Sequence, residues 1–229
     1  MSLASCDDRP VASGQRPTSS RDRLIGRALN NLIARAPWLW PPMRGPMTSF
    51  FSARAPGWDE RTGAGSPEHL APLASAVLHV STSPERILDI GCGTGADTLF
   101  LAREFPQARV RGVDISEKMV REAVAKVGLD PEGRIAFKVG DAADLPYPAR
   151  SFDLVAQLNM PVFFDQIVRV LRPGGHVIVA ASWGRETPFY TRPKLLQWKF
   201  AQHGVTEVER GEAGIGTYWV GRFTEPEGL

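Results

Sequence analysis

The stretch Ile87-Leu88-Asp89-Ile90-Gly91-Cys92-Gly93-Thr94-Gly95 constrains this chain more than any other. Its first residues read as a short buried strand, and the strand breaks into a turn with glycine at every second position. Removing three β-carbons lets a backbone take positive φ and lets a ligand approach closely. Ala96 to Ala102 then reads as the opening of a helix. A strand, a glycine turn and the free N–H groups of a helix start together make a ligand site.

The pattern after this turn alternates strand and helix. Strands are expected at 86–90, 109–114, 135–139, 152–157 and 176–181, and a last pair at 205–210 and 217–223. Helices are expected at 67–79, from Ser116 (a good N-cap) onward, at 164–171 and at 193–203. Arg172-Pro173-Gly174-Gly175 reads as a breaker before the fifth strand, and Gly204 as a helix stop. Strands alternating with helices imply an α/β fold with a mainly parallel sheet covered on both faces. The final pair, with no helix between, implies an antiparallel hairpin at one edge.

Upstream, residues 1–20 are rich in Ser, Pro, Arg and Asp and read as a disordered tail. Leu24, Ile25, Ala28, Leu29, Leu32 and Ile33 form one helical stripe, and Pro37-Trp38-Leu39-Trp40-Pro41-Pro42 follows it. Residues 21–66 are therefore expected to form a helical extension or lid, with a weaker alternative of peripheral membrane contact through residues 21–40. A loop–helix segment is expected over 48–61, in which Trp58 either covers the site or belongs to the core.

The bulk numbers exclude several classes. The chain has 229 residues, is 43% hydrophobic and carries a net charge of only +2, so nucleic acid is not an expected partner. It has no apolar run long enough to cross a bilayer. Two cysteines and four scattered histidines suggest neither a disulfide framework nor a metal site. A cytoplasmic location is the default expectation.

In an open α/β sheet, ligands sit beyond the carboxyl ends of the strands. The second strand ends in Asp114, about twenty residues past the glycines, where a carboxylate can accept both hydroxyls of a ribose. The third ends in Gly140-Asp141-Ala142. There Asp141 can accept an adenine amine, the Ala142 N–H can donate to a ring nitrogen, and Ile115 with Met119 can clamp the base. A dinucleotide site would show Gly-x-Gly-x-x-Gly. Here the spacing is Gly-x-Gly-x-Gly with Asp89 beside it, and that carboxylate repels a pyrophosphate but suits an ammonium or sulfonium.

These motifs, followed by Asp144-Leu145-Pro146-Tyr147-Pro148, Ser151-Phe152-Asp153-Leu154-Val155 and Val170-Leu171-Arg172-Pro173-Gly174-Gly175, resemble the class I S-adenosylmethionine-dependent methyltransferases. The resemblance is to the small-molecule subgroup of ubiquinone/menaquinone and type 11 enzymes. It implies a Rossmann-like, doubly wound, seven-stranded sheet of order 3-2-1-4-5-7-6 with strand seven antiparallel, occupying residues 67–229. It implies S-adenosyl-L-methionine as cofactor and a small-molecule acceptor. Gly91, Gly93 and Gly95 would approach the methionine moiety and Asp89 its amino group. Asp114 would hold the ribose, Ile115 the adenine face, and Asp141 with Ala142 the adenine edge. The reaction would be an in-line displacement at the sulfonium methyl, with no general base written in a motif. The chain departs from the subgroup after the fourth strand, where the acceptor-bordering segment is several residues short. Asn159-Met160-Pro161-Val162 there has one proline and no aromatic, unlike the Asn-Pro-Pro-aromatic motif of amino-group methyltransferases. It reads equally as a turn leading into a helix.

Overall fold

The computed structural model describes residues 20–224 of the chain, with side chains from residue 23. The expected tail thus lies outside the described residues except for Ser20, which opens helix α1 (Ser20–Arg35). A 3-10 turn at Pro37–Leu39 leads to α2 (Pro41–Arg54), α3 (Trp58–Thr62) and α4 (Pro67–Val77). Then follow β1 (Arg86–Ile90), α5 (Ala96–Glu104), β2 (Arg109–Asp114), α6 (Glu117–Ala125), β3 (Ile135–Val139), β4 (Phe152–Leu158) and α7 (Phe164–Val170). The chain closes with β5 (Leu171–Ala181), α8 (Pro193–Ala201), β6 (Val205–Ala213) and β7 (Gly216–Phe223).

The seven strands form one sheet of order β3-β2-β1-β4-β5-β7-β6. β1 pairs in parallel with β2 and β4, β2 with β3, and β4 with β5, while β7 runs antiparallel to both β5 and β6. Central strands covered on both faces read as near-continuous apolar runs, and β1 is buried from Ile87 to Ile90. One face carries Leu88, Ile90, Val155 and Val177 against Phe164, Ile167, Leu196 and Phe200 of α7 and α8. The other carries Ile87, Leu154 and Ile178 against α4 (Leu73, Ala76, Val77) and α5 (Phe100, Leu101). Adjacent residues of each strand feed opposite cores because successive β-carbons alternate across a sheet.

Two boundaries differ most from the sequence-based expectation. β5 begins at Leu171, not His176, because Leu171 still pairs with Phe152 and the register shifts between Phe152 and Leu154. The Pro-Gly-Gly run is therefore a bulge inside the ladder, where a β-carbon on Gly175 would lie 2.9 Å from the Arg172 and Asp153 carbonyl oxygens. α2 begins at Pro41, earlier than the loop expected there, with two prolines in its first turn, where missing N–H groups cost nothing.

The N-terminal helices lie across the carboxyl ends of the strands. Gly26 of α1 abuts Pro188, and a β-carbon there would meet Pro188 Cβ at 2.6 Å. Asn30 donates to the Tyr190 carbonyl (3.1 Å) and Thr191 Oγ1 (2.9 Å), and Arg23 pairs with Glu186 at 2.5 Å. Ser52 of α2 bonds Ser116 (2.8 Å), and Thr94 of the glycine turn donates to Asp59 of α3 (2.5 Å). The extension thus runs from the loop after β5 to the turn after β1. Leu29 and Ile33 of the α1 stripe are buried in this packing, whereas Leu24, Ile25, Trp38 and Leu39 stay exposed. No helix among the described residues is long and apolar enough to cross a membrane.

Candidate active site

The glycine turn is pinned to β2, since the N–H groups of Gly91 and Cys92 both donate to the Val113 carbonyl at 2.8 and 3.1 Å. All three glycines have positive φ, at 73°, 50° and 88°. Their missing β-carbons serve different ends. On Gly95 a β-carbon would strike Ala123 Cβ and Phe137 Cζ at 2.9 Å, so this glycine lets α5 start against α6 and β3. On Gly91 it would meet Met160 Sδ at 2.4 Å, and on Gly93 it would meet nothing within 4 Å. Only Gly93 faces open space.

Asp89 is buried at the end of β1 and accepts a 2.6 Å hydrogen bond from Thr98 Oγ1. Burial, then the neighbouring charge of Asp97, raises its pKa well above the ordinary carboxylate value, against the Thr98 bond. Asp114 ends β2 and accepts from the N–H groups of Gly93 (3.1 Å) and Ser116 (2.8 Å), with burial raising its pKa. Asp141 accepts from the Ala143 N–H at 2.9 Å. Asp89 lies in β1 beside the glycine turn, Asp114 is bonded to that turn through Gly93, and Asp141 follows the end of β3, the strand paired with β2. Met119 is 1% exposed and sits beneath this surface instead of on it.

Sequence reasoning missed two features. Trp40 Nε1 lies 3.0 and 2.9 Å from the two Asp141 oxygens, and Arg44 Nε lies 3.3 Å from Oδ2. Trp40 forms a buried cluster with Leu29, Ile33 and Phe163, against which Ile115, Ala142 and Met160 pack. The second feature is His69 of α4, whose Nε2 stands 3.4 Å from Asp97 Oδ1, both side chains being buried. His69 Nδ1 and Asp97 Oδ1 have no hydrogen-bond partner. Ser182 Oγ donates to the His69 carbonyl (2.8 Å) and Trp183 packs edge-on to the His69 ring, which puts the pair beside the end of β5. An acidic residue in the first turn after the glycines was the available signal for Asp97; nothing local marks His69.

Trp58 is half-buried with its ring against Phe51, so it is not core. His176 is fully buried and its Nε2 lies 3.3 Å from Ser81 Oγ, which is a structural placement. Asn159 takes φ of 59° and is engaged with Ser182, exchanging bonds of 2.9 and 2.8 Å that clamp the ends of β4 and β5. The thiol of Cys92 is buried, and burial raises its pKa. No group of three His, Cys, Asp or Glu among the described residues is placed to hold a metal ion.

Beyond Met160, a cavity of about 280 Å³ opens at the ends of β5 and β7. Phe189, Tyr190, Leu196 and Trp219 supply apolar walls, and Arg185, Arg210 and Glu212 supply charge.

A seven-stranded sheet of this order, with a glycine turn after β1 and an antiparallel β7, defines the Rossmann-like methyltransferase architecture. The Methyltransferase domain family matches residues 87–175. A demethylmenaquinone methyltransferase of Deinococcus radiodurans is 32% identical over 169 residues, spanning 69% of this chain and 68% of that protein. A demethylmenaquinone methyltransferase of Symbiobacterium thermophilum is 39% identical over 124 residues (50% and 49%), and an O-methyltransferase of Penicillium expansum is 35% identical over 134 (54% and 48%). The chain thus spans about half the length of two of these curated relatives. A solved S-adenosylmethionine-dependent methyltransferase of Aquifex aeolicus superposes with a TM-score of 0.56 at 17% identity, over 69% of this chain and 92% of that one. The chain belongs to the class I S-adenosylmethionine-dependent methyltransferases, in their ubiquinone/menaquinone-like group.

Proposed function

We propose that this chain moves a methyl group from S-adenosyl-L-methionine to a small-molecule acceptor. The observation that carries this reading is the set of Asp89, Asp114 and Asp141 at the ends of the adjacent strands β1, β2 and β3, with Asp114 bonded to the open Gly93. The residues present suit the cofactor. Asp89 is a buried carboxylate whose charged neighbours, Asp97 and Asp114, are also acidic, and an ammonium beside it would favour its charged form. Gly91 and Gly93 would border the methionine chain, Asp114 would accept the ribose hydroxyls, and Ile115, Asp141 and Ala142 would form the adenine site. When bound, the cofactor supplies an electrophilic methyl on a sulfonium. The chain's own contribution is alignment and exclusion of water, by the turn on one side and by Met160 and the N-terminal helices on the other. Residues 21–66 act in this reading as a lid on a domain of residues 67–229.

The cavity beyond Met160 would hold the acceptor. Its aromatic walls support an apolar ring, as do relatives named for demethylmenaquinone and for 2-methyl-6-phytyl-1,4-hydroquinone. The buried His69–Asp97 pair at the same end of the sheet is the candidate to take a proton where the acceptor must lose one. Exposed Leu24, Ile25, Trp38 and Leu39 support peripheral membrane contact through residues 21–40, while burial of Leu29, Ile33 and Trp40 against the body opposes it. The default of a cytoplasmic enzyme is retained.

The test is transfer of a labelled methyl group to components of a metabolite extract, with the product identified by mass. A labelled small molecule is expected. Tight binding of S-adenosylhomocysteine with no labelled product would contradict the catalytic reading.

A further inference from the structure

Trp38 and Trp40 stand two residues apart in the linker between α1 and α2, and they have opposite surroundings. Trp38 is 73% exposed and Trp40 is 7% exposed. The buried indole packs edge-on to Phe163, with ring centroids 5.4 Å apart, in the cluster bordered by Ile115, Ala142 and Met160. Its N–H is shared between both carboxylate oxygens of Asp141 at 3.0 and 2.9 Å. Oδ1 also accepts from the Ala143 N–H, and Oδ2 faces Arg44.

The adenine site proposed above uses the same parts. Asp141 would take the exocyclic amine, and Ile115 and Ala142 would flank the ring. Indole and adenine are both flat two-ring systems, and each would present an N–H to the same carboxylate. An indole nitrogen can only donate, and so does the adenine amine. Two such rings cannot both lie against one set of walls and one 8%-exposed carboxylate. We infer that Trp40 is an internal stand-in for adenine, which closes the nucleoside site until the linker between α1 and α2 lifts away; this rests on the S-adenosyl reading of the site.

The surrounding chain is built for such a movement. Pro37, Trp38, Leu39, Pro41 and Pro42 are all exposed, so Trp40 is the one residue of this short stretch that its release would uncover. The flanking helices are tied separately, α1 by Asn30 to Tyr190 and Thr191, and α2 by Ser52 to Ser116. Met160, in contact with the same cluster, lies over Gly91, so the methionine end is covered in the same state. A ligand that binds only the open state has its apparent affinity reduced by the open fraction, and removing the stand-in restores it.

The experiment is calorimetric titration of S-adenosylhomocysteine into the full chain and its Trp40→Ala and Trp40→Phe variants. Trp40→Ala should bind about tenfold more tightly than the parent, and Trp40→Phe, which keeps a ring but loses the N–H, should fall between. Equal or weaker binding by Trp40→Ala would make Trp40 a wall of the site and overturn the inference, leaving the methyltransferase reading intact. Binding by neither the parent nor the variants would overturn that reading and this inference together. Hydrogen exchange on the unmodified chain serves as a check independent of variant folding. Amides of residues 37–47 should exchange faster when S-adenosylhomocysteine is added, and slower exchange there would contradict displacement.

Discussion

Thr98 Oγ1 donates to Asp89 Oδ2 at 2.6 Å, tying the first turn of α5 to the end of β1 across the glycine turn. Both residues are buried, so this bond is a chief local compensation for the carboxylate's desolvation. Replacing Thr98 by Val keeps the shape and removes the donor. Leaving a buried acceptor unsatisfied costs about 1–3 kcal/mol. An unfolding free energy lowered to that extent in urea denaturation is the expected result, and an unchanged value would remove the bond from the account.

Asp89 and Asp114 both have raised pKa values, chiefly through burial. The native state therefore holds protons that the unfolded chain releases. The associated stability is fully present below the ordinary value of 3.8 and is lost as pH rises through the raised values. A ligand ammonium beside Asp89 would favour the charged carboxylate. S-adenosylhomocysteine binding should then release a proton and strengthen with pH over that window. Titrations in buffers of different ionisation enthalpy read this directly, and Asp89→Asn should abolish the Asp89 part. Heats that do not depend on the buffer would count against Asp89 as the ammonium site.

Gly93 and Gly95 should separate binding from folding. Gly95→Ala puts a β-carbon 2.9 Å from Ala123 and Phe137 at φ of 88°, so thermal stability should fall. The left-handed backbone alone costs about 1–2 kcal/mol, and the clash adds to it. Gly93→Ala meets no neighbour, so the loss of stability should be smaller while S-adenosylhomocysteine affinity drops at least as much. Equal loss of stability with affinity retained in Gly93→Ala would show that the open side of the turn does not face the ligand.

His176 should make the fold acid-sensitive. Burial, with Arg222 opposite it on β7, lowers its pKa from 6.5. The native state therefore resists protonation, and stability is lost as pH falls from that ordinary value through the lowered one. Comparing urea midpoints at neutral and mildly acid pH should show this loss, and His176→Gln should flatten it. An identical slope in the variant would assign the acid sensitivity elsewhere.

Much of the fold was legible because its signals are local. β1, β2 and β3 are short segments rich in Val and Ile and closed by glycine or aspartate, and their bounds agree with the reading of the sequence. The start of β5 was not legible, since Pro173-Gly174-Gly175 looks like a breaker unless the pairing of Leu171 with Phe152 is known. The carboxylates at the strand ends follow from topology and were found. What covers them does not follow. The contact between Trp40 and Asp141 spans 101 residues, and nothing in Trp38-Leu39-Trp40 says which indole turns inward. His69 and Asp97 meet only because α4 packs beside the end of β5, which no spacing in the chain encodes.

The central claim is that the turn from Gly91 to Gly95 and its carboxylates receive an S-adenosyl nucleoside. Calorimetric titration of the full chain with S-adenosylhomocysteine and, separately, with NADH tests this most directly. The account predicts saturable micromolar binding of S-adenosylhomocysteine and none of NADH. Binding of NADH without S-adenosylhomocysteine would contradict it.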